Sequence, residues 1–433
     1  MFTISEGAYA NYLAKVVELK NVRKHPNADR LQITEIDLQT VVLGQHAKDG
    51  DVCIFFPVES QINHDFLSYT NEFRDSELNR SKDVNGFFEK KGRVRAVKLR
   101  GERSMGYIAP ISSIQDFMLT KYGIDIHTED FVPGTEFDMI GTVQLCKKFI
   151  IPVKEPNIRQ GKKPRISRLV DGQVHLHVDT ENLRREAYRI KPDDHITVSY
   201  KYHGTSFWVS NVLVKKKLHL WDRLAASFFP VMTTEYDYVF GSRKVVKNEY
   251  ETQNTQDFYD GDLWNEVKDQ LKDFVPKGYT LYGELVGFTA SGAFIQEGYD
   301  YGAEAAKRYP LIYRITITNP DGYTVNLSTA QCREFCERYG LKFVDVHYSG
   351  TASDLFPDIS IEKHWNEEFV KRLEMEYLEG DCHLCVNKVP KEGVVVRKEK
   401  FFEFECYKLK SFDFLEMESK LLDNEKPDIE SQN

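Results

Sequence analysis

The chain has 433 residues, 41% of them hydrophobic and 29% charged, a length that calls for two or three hydrophobic cores rather than one. Its net charge of -9 excludes a protein that coats nucleic acid indiscriminately, and no apolar run approaches the roughly 20 residues of a membrane span. Seven cysteines, an odd number in so long a chain, do not make a disulfide framework. Together with a start that lacks a signal peptide's basic and apolar regions, this predicts a cytoplasmic protein with no membrane attachment.

From Leu13 to Pro110 the pattern is that of short strands separated by turn residues: Ala14 to Leu19, Leu31 to Ile36, Val41 to Leu43, Val52 to Phe56 and Arg93 to Arg100. Such spacing suggests a small closed barrel. The last strand alternates cations with apolar residues, so Arg93, Arg95, Lys98 and Arg100 form a candidate nucleic-acid-binding face, with Met105 to Ile108 as the expected partner strand. The polar stretch from Asn63 to Val84 reads as a loop insertion. Two further basic clusters are Lys162 to Arg168 and Lys215-Lys216-Lys217. Between Cys146 and His177 prolines and basic residues with little periodicity read as a connector, and Asp179 to Arg185 as an N-capped helical turn.

The stretch Ser199-Tyr-Lys-Tyr-His-Gly-Thr-Ser206 joins two alternating strands and presents Lys201 at a tight turn, with Gly204 allowing close backbone approach and two hydroxyls beside it. That is a setting for a lysine nucleophile, provided its amine, ordinarily protonated at neutral pH, is deprotonated by neighbouring cations or a metal. Alone, the stretch equally describes an ordinary hairpin. Downstream, Phe240-Gly-Ser-Arg243, Leu281-Tyr-Gly-Glu-Leu-Val-Gly287, Leu311-Ile-Tyr-Arg-Ile-Thr-Ile317 and Glu392-Gly-Val-Val-Val-Arg397 each place a polar or aromatic residue at an apolar strand or beside glycine. Cys406 to Lys410 puts Lys408 and Lys410 on one face of a strand. Cys382-His-Leu-Cys385 has a metal-like spacing to which Cys332 and Cys336 could add thiolates, but that second pair is spaced as on a helix, and buried reduced thiols are the simpler reading.

In this order the stretches resemble the nucleotidyltransferase motifs of ATP-dependent ligases and capping enzymes, over Thr180 to Phe414. The strand-rich module placed first, its opening His25-Pro-Asn-Ala-Asp-Arg-Leu31, and the short segment after Phe414 make the chain resemble the RNA-ligase branch with an N-terminal OB domain, sometimes called the fifth RNA-ligase family. The resemblance implies an α+β protein, with an OB-like β-barrel followed by an adenylyltransferase (ATP-grasp-like, antiparallel sheets) domain. The expected division is 1–145 OB-like domain, 146–178 basic connector, 179–414 nucleotidyltransferase domain and 415–433 acidic disordered tail.

It implies an ATP-dependent RNA ligase that joins 3′-OH and 5′-phosphate ends through a lysyl-AMP and an adenylylated 5′ end, acting as a monomer on RNA, at nicks in duplexes, in RNA repair. Lys201 would be the nucleophile, and Lys408 and Lys410 would hold the α-phosphate. Gly204, Arg243, Glu284, Tyr313 and Glu392 would complete the ATP site, with Tyr313 stacked on adenine, and Glu284 and Glu392 would place Mg2+ or Mn2+. One position departs from the pattern: His203 stands where the superfamily has Asp, so a carboxylate that would help place the metal is replaced by an imidazole, and activity is expected to fall below about pH 6.5 as it protonates. The alternatives are a capping-type guanylyltransferase, which the domain order disfavours, and an inactive protein that binds RNA ends.

Overall fold

The computed structural model describes residues 1–150, 168–217, 232–247, 263–362 and 364–423. These fall into two compact units. The first comprises 1–150, 181–187 and 410–423, and the second 168–180, 188–217, 232–247, 263–362 and 364–409.

In the first unit the strands fall where the alternation put them. An antiparallel sheet runs in the order Tyr107–Pro110, Val52–Phe56, Ala14–Glu18, Glu136–Phe137, and Arg23–Lys24, Leu31–Ile36 and Gln39–Gly44 form a three-stranded sheet. Alternate residues of these strands fill two apolar clusters, one with Val16, Ile54, Phe56 and Phe137, the other with Val17, Val41, Leu43 and Phe55. His25 is 1% exposed and closes its turn from both ring nitrogens, Nδ1 accepting from Asn27 N (3.0 Å) and Nε2 lying 3.0 Å from the Leu99 carbonyl.

Several expectations are corrected here. Arg93 to Ile108 is not one strand and its partner: Ala96–Leu99 pairs with Glu102–Met105, and after Gly106 (φ +152°) Tyr107–Pro110 joins Val52–Phe56 instead. The stretch from Asn63 to Val84 is not a surface loop. Asn63 caps a helix, His64–Tyr69, by accepting from Phe66 N (3.1 Å), and Phe66, Leu67 and Phe73 are fully buried. Its high polar content hid three core residues.

The helix Phe412–Asp423 runs into the expected tail, as far as the tail's ninth residue, and its Phe412 and Leu415 pack on Val58, Ala96 and Met105. That helix also covers the expected basic face. Arg93 (4% exposed) donates to Asp423 Oδ1 (2.8 Å) and to the Ser419 carbonyl, Arg95 to Asp423 Oδ2 (3.1 Å), and Lys98 to Asp413 (3.0 Å). Arg100 stays exposed at the hairpin tip, at φ +50°. Residues 424–433 of the tail, and the Lys162 to Arg168 cluster except Arg168, lie outside the described residues.

The expected connector is divided between the units. Cys146–Lys148 pairs with Ser60–Ile62 in the first, whereas 168–178 lies along the second, where Gln173 donates to the carbonyls of Asn319 (2.9 Å) and Pro320 (3.2 Å). The segment after Asp179 forms the short strand Glu181–Asn182, and the capped turn follows it: Asn182 accepts from Arg184 N at its Oδ1 (3.1 Å) and from Arg185 N (3.0 Å) and Glu186 N (3.2 Å) at its carbonyl.

In the second unit we number the strands that carry the site: β1 (His195–Lys201), β2 (Thr205–Lys215), β3 (Thr234–Gly241), β4 (Tyr279–Gly287), β5 (Arg308–Thr318), β6 (Val346–Thr351), β7 (Gly393–Glu399) and β8 (Phe404–Lys410). One sheet has the order β8-β7-β1-β6, with β1 antiparallel to both β7 and β6; the other has β3-β2-β4-β5 at its centre, with these neighbours antiparallel. One face of the second sheet, through Phe207, Val209, Leu281, Leu285, Ile312 and Ile315, is buried against helices Leu263–Leu271 and Thr329–Tyr339. Its other face meets the first sheet, with Tyr200 and Tyr202 packed on Val286 and Leu311.

Candidate active site

The register of β1 on β7 decides where the nucleophile candidate sits. Lys201, the last residue of β1, pairs with Gly393, the first of β7, so Glu392 just ahead of β7 comes beside it. Lys201 Nζ lies 2.6 Å from Glu392 Oε1, with side chains 14% and 0% exposed, and His203 Nδ1 is 4.0 Å from Glu392 Oε2. One buried carboxylate thus faces both the lysine and the histidine that departs from the pattern.

The turn after Lys201 is fixed by the neighbouring sheet. Glu284 lies opposite Ser206 in the β2–β4 pairing and accepts from Gly204 N (3.2 Å) and Ser206 Oγ (3.2 Å). A Cβ at Gly204 would sit 2.4 Å from the Leu285 carbonyl oxygen, so the close approach glycine permits there is to β4. Gln296 Nε2 donates to the Gly204 carbonyl (2.8 Å), His203 N donates to Tyr301 OH (2.7 Å), and Tyr299 packs edge-on against the His203 ring at 5.0 Å while donating to the Pro390 carbonyl (2.7 Å). Sequence reasoning missed these three residues of the loop between β4 and β5. The run Gly298-Tyr-Asp-Tyr-Gly302 following a motif strand was the available signal.

A bulge places Tyr313. Tyr282 pairs with Arg314 and Gly283 with Ile312, so Tyr313 is the extra residue between them. Tyr313 OH and His177 Nδ1 are 2.5 Å apart, and the His177 ring stands edge-on to Tyr282 at 5.3 Å. The segment read as connector therefore brings His177 to the site. Asp179 follows it and pairs with Arg243 (2.8 Å). Burial pushes the Asp179 carboxyl up, but Arg243, Lys244 and Lys408 outweigh it and hold it below the usual carboxylate range. Arg243 and Lys408 accordingly share one electrostatic neighbourhood.

Lys408 and Lys410 alternate with the buried Tyr407 and Leu409 along β8. Lys410, however, belongs to the first unit, where its Nζ lies 3.2 Å from Glu59 and 3.3 Å from Glu418. Two carboxylates that the motif alone did not announce surround it. Cys382 and the Cys332/Cys336 pair sit in different apolar clusters, and burial pushes the thiols of Cys332 and Cys336 up to about 11 and 12. No group of three or more metal-ligating side chains occurs among the described residues.

A family model described as RNA ligase matches residues 194–411, half of the chain, and a model of an OB-fold domain matches residues 13–111. Among solved structures, an RNA ligase of Naegleria gruberi with PPi is 17% identical at TM-score 0.54, covering 94% of this chain and 99% of that one. A mutant of the same ligase without ligand is 16% identical at TM-score 0.56, over 94% and 98% of the two chains. Another mutant, with ATP and Mn, is 14% identical at TM-score 0.54, over 97% and 99%. No curated protein sequence gives a match. The architecture is thus an OB fold followed by a ligase-like α+β body, and the chain belongs to the RNA ligase family.

Proposed function

We propose that the protein is an ATP-dependent RNA ligase in which Lys201 carries AMP as a phosphoramide and passes it to an RNA 5′-phosphate, so that a 3′-hydroxyl displaces AMP and seals the strand. The observation that carries this reading is the Lys201–Glu392 contact at the mouth of the β1–β2 turn. In the first step the Lys201 amine forms a P–N bond to the α-phosphorus of ATP, and the bond to pyrophosphate breaks. In the second the RNA 5′-phosphate takes AMP and the P–N bond breaks. In the third the 3′-hydroxyl attacks the activated 5′-phosphate and AMP leaves.

The residues present suit this chemistry. Glu392 holds the lysine in place as an ammonium before reaction, and Arg243 and Lys408 supply positive charge for phosphate oxygens. Glu284, anchored by Gly204 and Ser206, keeps the turn rigid and offers a carboxylate for the ribose hydroxyls. The donor set also fits a divalent cation held by one protein carboxylate and completed by phosphates and water, as Mg2+ and Mn2+ commonly are, with Glu392 as the residue to hold it. Bound there, a cation would offset the charge of Glu392, which would then hold the Lys201 ammonium less strongly and favour its uncharged amine. Solved relatives of this fold contain ATP with Mn and AMP with Mn.

The substrate class is RNA ends, with nicked duplexes the form that an OB module in the same chain suits by reading backbone shape. The test is incubation with α-labelled ATP and divalent metal, repeated with Lys201→Ala and with labelled GTP. Label that survives denaturing electrophoresis and vanishes in the variant is expected, followed by sealing of a nicked RNA duplex. Label from GTP alone would point to capping chemistry, and no label from either nucleotide would leave a protein that binds RNA ends.

A further inference from the structure

The bulge opposite Tyr282 has a second effect. Tyr282 and Glu284 point to the face of β4 opposite the helix-covered one, where Leu281 and Leu285 lie. Arg314 pairs with Tyr282 and shares its face, and the extra residue Tyr313 also packs toward that side, against the clusters of Tyr282 and of Tyr200. Two consecutive side chains therefore reach the site face, where an unbroken strand would turn one of them away.

Arg314 is 7% exposed and tightly held. Its guanidinium lies 4.4 Å from the Tyr282 ring centroid and 5.4 Å from that of Phe404, and its Nε donates to Asn326 Oδ1 (2.8 Å). Its Nη1 is buried and has no hydrogen-bond partner, and among the described residues no carboxylate forms an ion pair with it. A second guanidinium, Arg397, lies 4.3 Å from the same Phe404 ring, but its charge is met by Glu399 (3.1 Å) and by the Leu327 carbonyl (2.6 Å). Burial and Arg397 both push the Arg314 guanidinium below its ordinary range.

A buried donor on a charged group, left unmade, is costly, and two aromatic faces compensate it only in part. The arrangement is accounted for if the missing acceptor arrives with a ligand. Arg314 lies on the sheet face that carries Glu284, since it pairs with Tyr282, two residues before Glu284 on the same face of β4. Along β4 the Tyr282–Arg314 rung is one same-face step, roughly 7 Å, farther from the Lys201 turn than Glu284 is. The α-phosphate must lie at Lys201, so the far rung faces the other end of the nucleotide.

We infer that Arg314 is a nucleotide-recognition residue, whose Nη1 donates a hydrogen bond to a ring nitrogen of the bound adenine beside Tyr313; this rests on the proposed lysine-adenylylation reading. Adenine offers acceptors at N1, N3 and N7, and a guanidinium already fixed at Nε and between two rings loses little freedom in meeting one of them.

The test is the KM for lysine labelling with ATP and with its 1-deaza, 3-deaza and 7-deaza analogues, in the parent, Arg314→Met and Arg314→Lys. The parent is expected to lose about tenfold in KM for one analogue, the value of one such bond. Arg314→Met should show a raised KM for ATP, no discrimination among the analogues, and kcat within about twofold of the parent. Arg314→Lys, which keeps a cation at the Tyr282 ring, guards against a folding defect in the methionine variant. A parent indifferent to all three analogues, or a folded variant that discriminates as the parent does, overturns the inference. Labelling without discrimination fails this inference alone, whereas a parent that takes no label from ATP fails the proposed function itself.

Discussion

Lys201 Nζ lies 2.6 Å from Glu392 Oε1, and the carboxylate is wholly buried. An ammonium so placed is stabilised against losing its proton, and a buried carboxylate depends on a cation nearby. Each residue is thus a requirement of the other before any chemistry begins. Lys201→Met is expected to abolish lysine labelling and also to lower stability by about 3–5 kcal/mol, because the buried Glu392 charge loses this partner. Glu392→Gln should cut labelling by roughly 10²-fold. The double variant should regain much of the lost stability and none of the activity, which urea unfolding of all four proteins measures. Strictly additive losses would show that the pair is not coupled in the folded protein.

The same carboxylate meets His203, 4.0 Å away, where the superfamily has an aspartate. An imidazole beside Glu392 competes with a divalent cation when protonated and contributes one neutral ligand when not. His203→Asp adds a second anionic oxygen donor at this point, so half-maximal labelling should need several-fold less metal, and the acid limb of the pH profile should move to lower pH. Titrating Mg2+ and Mn2+ at pH 6 and pH 8 in both proteins tests this. An unchanged metal requirement at both values would mean that residue 203 does not reach the cation.

The helix Phe412–Asp423 makes a third claim testable without substrate. Residues from 415 onward were expected to be a disordered tail, yet Leu415 is 6% exposed, as is Phe412 at 3% just before it, and Asp423 meets the buried Arg93. Truncation before Phe412 should therefore lower the melting temperature of the first unit, by analogy with removal of buried apolar side chains at about 2–5 kcal/mol each. Arg93→Ala should likewise destabilise rather than simply weaken RNA binding, since it removes the buried donor to the Ser419 carbonyl and leaves Asp423 with Arg95 alone. A truncated protein that melts as the parent does would restore the tail reading.

Strand alternation and the order of the motifs made the two-body α+β architecture and the Lys201 turn legible, because both depend on local patterns that single segments carry. What the sequence hid was pairing across long separations. Asp423 with Arg93, Glu59 with Lys410 and His177 with Tyr313 join segments far apart along the chain, and nothing in either partner's neighbourhood announces the other. Polar composition misled in the same way at Asn63 to Val84, where Phe66 and Phe73 are core residues in a stretch dominated by Asn, Ser, Asp and Glu. The bulge that brings Tyr313 and Arg314 to one face is a property of the β4–β5 register and is invisible in β5 alone.

The loop that holds His203 is itself pinned by one carboxylate. Asp300 accepts from Gly302 N (2.8 Å), Val386 N (3.0 Å) and Asn387 N (3.1 Å), tying the Tyr299 and Tyr301 segment to the stretch that leads to Glu392. Burial pushes the Asp300 carboxyl up, but these backbone donors outweigh it and hold it below its ordinary value of 3.8. A depressed carboxylate binds its proton more readily in the unfolded chain. Its contribution to stability is therefore complete above about pH 4 and is lost as pH falls through the depressed folded value. Asp300→Asn should be less stable than the parent by about 1–3 kcal/mol at pH 7, and the difference should narrow below about pH 4 as the parent loses its own advantage. Because the loop carries Tyr301, whose hydroxyl accepts from His203 N, the variant should also label Lys201 more slowly at pH 7. Urea midpoints of both proteins from pH 7 to pH 3 decide the matter. A gap of constant size across that range would show that packing, not the charge on Asp300, secures the loop.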